Sequence, residues 1–180
     1  MIESSFCFLP GVGPRSEPRL WEDGITTWAA FLARDSIQGI GRTRKALYND
    51  SLSQAQDHRA IEDARYFGAA LHQRDHWRLY DWLRSRALYL DIETDSFGQI
   101  TVVGLYGRGQ FTALVRGESL DRRRLFDEFL HYDLLVTFCG GTFDLPKLLA
   151  SYPSLPLDHP HIDLCFLGKR LGYRGGLKSH

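Results

Sequence analysis

The chain has 180 residues, enough for one domain or two small ones, and 43% hydrophobic with 13% aromatic content excludes global disorder. Lys+Arg and Asp+Glu both number 22, giving a formal net charge of zero. No overall field therefore draws the chain to nucleic acid or to an anionic membrane, and any such binding must be local.

Cys7, Cys139 and Cys165 are odd in number, widely spaced and without a CxxC pair, so neither a zinc site nor a disulfide framework is expected. No apolar run reaches membrane-spanning length, and the N-terminus has Glu3 and no basic flank, unlike a signal peptide. The expected compartment is the cytoplasm, with no membrane partner. The oligomeric state is left open.

Residues 1–86 read as a small all-α module. It opens with Phe8-Leu9-Pro10-Gly11-Val12-Gly13-Pro14-Arg15, then Leu20-Trp21-Glu22-Asp23-Gly24-Ile25-Thr26-Thr27-Trp28. A Gly-x-Gly turn, a short helix, a second glycine and a further helix resemble a degenerate helix-hairpin-helix. The resemblance implies a phosphate contact at Gly11, Gly13 and Arg15. Pro18 departs from that pattern, because proline fits the start of a helix and would place this one about a turn beyond the glycines. A small structural hairpin thus stands beside the phosphate clamp as a reading.

Arg42 to Leu71 favours one long helix or two short ones, with Asn49-Asp50-Ser51 as the break. Gln73 to Arg84 offers another short helix, with Trp77, Tyr80 and Leu83 on one side. His72 and His76, four apart, read as partly exposed surface histidines.

The centre of the chain is Ala87-Leu88-Tyr89-Leu90-Asp91-Ile92-Glu93-Thr94. In a strand Asp91 and Glu93 project from one face, with Ile92 buried behind them. Paired carboxylates repel and lose solvation, and oxygen-only ligands suit a hard divalent ion, Mg²⁺ or Mn²⁺. A polar hairpin turn over Asp91–Gly98 is the alternative. Residues 99–106 and 110–115 read as two further strands of an antiparallel meander. Ser119 then caps a helix to about His131, whose apolar face is Leu125, Phe126, Phe129 and Leu130. Leu134-Leu135-Val136-Thr137-Phe138 reads as a buried parallel strand. Cys139-Gly140-Gly141-Thr142 turns the chain, and Asp144 follows at a helix N-terminus beyond that strand, where sites in such sheets collect.

Leu90-Asp91-Ile92-Glu93-Thr94, then Val136-Thr137-Phe138-Cys139-Gly140-Gly141-Thr142-Phe143-Asp144-Leu145-Pro146, then His161-Ile162-Asp163-Leu164, resemble the ribonuclease H-like exonucleases of the DEDD (DnaQ-like) superfamily, closest to the YprB-like branch. The resemblance covers residues 87–180. It implies an α/β fold, a ribonuclease H-like mixed sheet with flanking helices. It also implies a metal-dependent nuclease that hydrolyses phosphodiester bonds of DNA or RNA, 3′→5′, with two Mg²⁺ or Mn²⁺ ions. Asp91, Glu93 and Asp144 would be the catalytic, metal-binding carboxylates. Thr94, Cys139 and Phe143 would contact substrate, and His161 and Asp163 would support the strand-to-helix turn.

Two departures qualify what the resemblance implies. Cys139 stands where many relatives have Asn. The family's third motif, a late Asp with Tyr or His as general base, should lie beyond Gly175-Gly176-Leu177-Lys178 and is not among these residues. The expectation is a C-terminally incomplete domain, a fragment rather than a degenerate copy. The rival readings are a non-catalytic nucleic-acid-binding module and a structural partner of a helicase or polymerase.

Overall fold

A computed structural model describes residues 1–173. The chain divides into two compact units, Met1–His72 and Gln73–His180.

The first unit is helical: α1 (Glu17–Glu22), α2 (Trp28–Leu32), α3 (Arg42–Ala60) and α4 (Ala64–Ala70). Helix α1 starts where Pro18 allows, with the proline in its first two positions. Trp28, Phe31, Phe67 and Leu52 are fully buried, Trp28 stacking on Phe67 at 5.9 Å and donating through Nε1 to the Ser5 carbonyl at 2.7 Å. Helix α3 runs straight through Asn49–Ser51, contrary to the expected break. Those side chains bond within the helix instead: Ser51 Oγ donates to the Leu47 carbonyl and Lys45 Nζ to Asn49 Oδ1. The break comes later, where Glu62 takes φ 58° and Asp63 caps α4 by accepting from Tyr66 N at 3.1 Å.

The second unit opens with a 3₁₀ segment (Gln73–Leu79), α5 (Tyr80–Leu83) and a 3₁₀ turn (Arg84–Arg86). The sequence pattern groups this stretch with the N-terminal module. It belongs instead with the sheet because its side chains bond there: His76 Nδ1 accepts from His161 N at 2.9 Å, and Gln73 Nε2 lies 3.2 Å from His161 Nδ1. His76 is accordingly buried, whereas His72 is exposed as expected.

Five strands follow: β1 (Ala87–Thr94), β2 (Ile100–Gly107), β3 (Gln110–Val115), β4 (Leu134–Thr137) and β5 (His161–Asp163). Helix α6 (Arg122–Leu130) precedes β4, α7 (Asp144–Ser151) lies between β4 and β5, and α8 (Leu164–Arg170) follows β5. The sheet order is β3-β2-β1-β4-β5, antiparallel across β1, β2 and β3 and parallel across β1, β4 and β5. This is the mixed ribonuclease H-like α/β arrangement.

Alternation along β1 sends Leu88, Leu90 and Ile92 into one core with Val103, Leu105 and Leu114, closed by Leu125 and Phe129 of α6 and Leu148 of α7. Phe126 and Leu130, expected on that face, are largely exposed. Ser119 does not cap α6. Its hydroxyl accepts from Val115 N, and Asp121 takes the cap by accepting from Arg124 N at 2.8 Å. Among the described residues no helix is long and apolar enough to cross a membrane.

Candidate active site

Asp91 and Glu93 stand exposed on the sheet face opposite the core. Asp91 pairs across the antiparallel ladder with Gly104, so no neighbouring side chain crowds it from β2. Both carboxylates line a groove of about 360 Å³ that also takes in Tyr106, Phe111, Thr137 and Leu164. The ladder shifts register between Glu93 and Thr94, and Thr101 Oγ1 bonds to the Glu93 carbonyl. That bulge ends the regular strand at the acidic pair.

Asp144 comes to the same place from α7. The parallel pairing of β1 with β4 stops at Tyr89 and Val136, so Ile92 N has no strand partner on that side. Asp144 Oδ1 accepts from it at 2.9 Å. The side chain is buried. Burial pushes the Asp144 carboxyl above the usual carboxylate range, the Ile92 N–H pulls it back, and the charge of Asp91 raises it further. The structure thus brings Asp91 and Asp144, from two separate elements, into electrostatic contact.

The turn before α7 is held from below by Asp163. Its Oδ1 accepts from Cys139 N at 2.9 Å and from Cys165 N at 3.0 Å, and its Oδ2 accepts from Gly141 N at 3.0 Å. Cys139 is left-handed, φ 60°, a conformation that a non-glycine residue adopts only when its surroundings hold it there. Gly140 packs so tightly on Thr137 that a Cβ would collide with that side chain. Thr137 Oγ1 bonds in turn to His161 Nε2 at 2.8 Å. With the Gln73 amide donating to Nδ1, the ring proton sits on Nε2 and is given to Thr137. Burial holds His161 below its ordinary pKa, against the raising effect of Asp163.

Contrary to the cysteine count, Cys139 and Cys165 form a disulfide, with Cα atoms 5.1 Å apart. The Cys139 sulfur is therefore committed to α8, and its backbone N–H and carbonyl are engaged by Asp163 and Thr142. Thr94 is half-buried at the end of β1, and Phe143 is half-exposed at the start of α7. Gly11, Gly13 and Arg15 lie in the first unit. The Gly13 N–H is engaged by Ser16 Oγ at 2.9 Å, so a phosphate would have to displace that hydroxyl. Residues 175–178, beyond which the third motif is expected, lie outside the described residues. Sequence reading missed the buried His76, and only its four-residue spacing from His72 pointed to it.

Among the described residues, no group of three His, Cys, Asp or Glu side chains is arranged to hold a metal ion. The donor chemistry still suits a hard cation. Asp91 and Asp144 repel at close range, which a divalent ion would relieve, and Asp144 Oδ2 is not taken by Ile92. Asp91 and Asp144 are the residues that would contribute donors to such a site.

A family model described as the RNase_H superfamily matches residues 88–180, just over half of the chain, starting one residue into β1. The chain belongs to the RNase_H superfamily. Among solved structures it is similar to the Aedes aegypti Nibbler EXO domain at 15% identity and a TM-score of 0.41, covering 58% of this chain and 54% of that one. The chain thus spans about half the length of that structure. No curated protein matches. Membership of the superfamily makes this a nuclease-type fold, and within the matched segment lie all three carboxylates, the Asp163-braced turn and His161.

Proposed function

We propose that the chain is a metal-dependent nuclease that hydrolyses phosphodiester bonds of nucleic acid in the 3′→5′ direction. The observation that carries this is the approach of Asp144 to β1 beside Asp91, at the edge where β1 and β4 part. Asp91, Glu93 and Asp144 are the residues that would hold Mg²⁺ or Mn²⁺. Such ions, when bound, lower the pKa of an attacking water and stabilise the leaving 3′ oxygen. The chain's own contribution is positioning. Asp163 and Thr137 set the turn, the turn sets Asp144, and the Ile92 N–H orients its carboxylate. Thr94 and Phe143 flank this edge and are assigned to the terminal nucleotide. Water adds across the P–O bond, giving a 5′ nucleoside monophosphate and a strand shorter by one.

The test is digestion of end-labelled single-stranded DNA and RNA with Mg²⁺ or Mn²⁺ by wild type, Asp91→Ala and Asp144→Asn. Loss of activity in both variants is expected. Equal digestion by all three proteins overturns the assignment.

A second reading, a binding module without hydrolysis, is favoured by the lack of a three-ligand group among the described residues. Retention of a labelled strand, with no shortening at any Mn²⁺ concentration, would select it.

A further inference from the structure

Beside the acidic edge, on the far side of the Gly140-Gly141 turn, lies a second cavity of about 650 Å³ between the 3₁₀ segment Gln73–Leu79 and α8. Its lining combines two chemistries. Trp77 and Phe166 contribute aromatic rings, with Arg78 over the first at 5.2 Å and Lys169 over the second at 5.4 Å, and Phe166 is half-exposed. Arg74, Lys169 and Arg170, all exposed, bring three cations. Among the described residues, the one acid in the lining is Asp163, whose two oxygens already accept three backbone N–H groups. Arg74 Nε lies 3.4 Å from Asp75 Oδ2, so Lys169 and Arg170 carry the positive charge that the described lining leaves over, on a chain whose formal charge is zero. Arg170 donates through Nη1 to the Arg74 carbonyl, so the two walls are tied together.

We infer that this cavity holds a nucleotide of the single-stranded substrate. The inference rests on the nuclease reading above. Aromatic faces interleaved with cations are what a single strand requires, the bases stacking and the phosphates pairing. The volume falls within the range of small-ligand sites, so a whole base and sugar can enter. Gly141 and Thr142 line the cavity and precede Asp144 by three and two residues. Three residues span at most about 11 Å, so one strand can touch both places. The cavity would therefore hold the strand while its end lies against Asp91 and Asp144.

The test is fluorescence anisotropy of a fluorescein-labelled oligothymidylate with the full chain in EDTA, where nothing is digested. Lys169→Glu and Arg74→Glu should each weaken binding and flatten its salt dependence by about 0.7 in the log–log slope for every phosphate left without its cation. Phe166→Ser should weaken it by about tenfold, as expected when one base has no ring to stack on. These side chains are exposed, and circular dichroism checks that each variant is folded. Lys169→Gln replaces any variant that is not. Unchanged binding in all the variants overturns the inference and leaves the nuclease reading standing. Weakened binding in the variants, with no digestion by wild type under any metal, upholds the cavity and overturns the nuclease reading. Thymidine monophosphate competing as well as the oligonucleotide overturns the assignment to a strand. No binding of the oligonucleotide to wild type overturns the inference, and digestion with Mg²⁺ or Mn²⁺ still decides the nuclease reading.

Discussion

Asp163 holds the turn that delivers Asp144, and its removal can be worked through oxygen by oxygen. Asp163→Ala strands the N–H groups of Cys139, Gly141 and Cys165. The Cys165 bond is the side-chain cap of α8, and losing such a cap costs about 1 kcal/mol. The other two are hydrogen bonds of a partly exposed carboxylate to backbone, each discounted for solvent to about 1 kcal/mol. The total is about 3 kcal/mol, and the disulfide to Cys165 is then the main restraint left on the left-handed Cys139. Asp163→Asn keeps Oδ1, which serves Cys139 and Cys165, and turns a donor towards Gly141 in place of Oδ2. Its cost should be near 1 kcal/mol. Urea unfolding of the full chain, with amide exchange read at Cys139, Gly141 and Cys165, measures both. Alanine should lose protection at all three amides, and asparagine mainly at Gly141. Equal losses in the two variants, or none in either, would refute the reasoning.

Asp144→Ala leaves the Ile92 N–H buried without an acceptor and should cost about 1–3 kcal/mol, whereas Asp144→Asn keeps an acceptor and removes a buried charge beside Asp91. In urea, asparagine should therefore be the more stable variant. Gly140→Ala places a methyl against Thr137 and should cost about 1–3 kcal/mol in the same assay, with loss of Mg²⁺-dependent digestion. His161 titrates below its ordinary pKa when folded, so on acidification the unfolded chain takes up the proton first. Its contribution is full above about pH 6.5 and is lost as pH falls below that, by at most about 1.4 kcal/mol per pH unit. Comparing unfolding midpoints at pH 7.5 and 5.5 for wild type and His161→Gln checks this, and the variant should show the shallower slope.

The acidic pair was legible because the physics behind it is local. A period of two puts Asp91 and Glu93 on one face whatever else the chain does. The position of Asp144 at the start of a helix beyond a buried strand was legible for the same reason. Other features depended on competition between local partners. Ser119 and Asp121 can both cap a helix, and Asp121 does so because the Ser119 hydroxyl is taken by Val115 N. Asn49 and Ser51 are capable breakers, but hydrogen bonds one turn back along α3 satisfy them where they stand. The disulfide was not legible at all. Cysteine parity says nothing about which Cα atoms the fold brings within bridging range, and Cys139 and Cys165 are 26 residues apart.

The direction in which Asp144 points was the least accessible feature, and it explains why the site lies where it does. Strand β1 has eight residues and β4 has four, and their parallel pairing covers only Ala87–Tyr89 against Leu134–Val136. The antiparallel edge of β1 stays paired with β2 through Thr94. One side of β1 is therefore unpaired over its last residues, where the acidic pair stands. A buried N–H at Ile92 in that gap must find an acceptor from outside the sheet. Chain reversal after so short a strand as β4 brings the start of α7 back towards the gap, and Asp144 supplies the acceptor. The bond that completes the strand's hydrogen bonding is thus the same bond that brings the Asp144 carboxylate to Asp91. The hydrogen bond that the fold requires and the approach of a buried carboxylate to Asp91 are therefore supplied by one side chain.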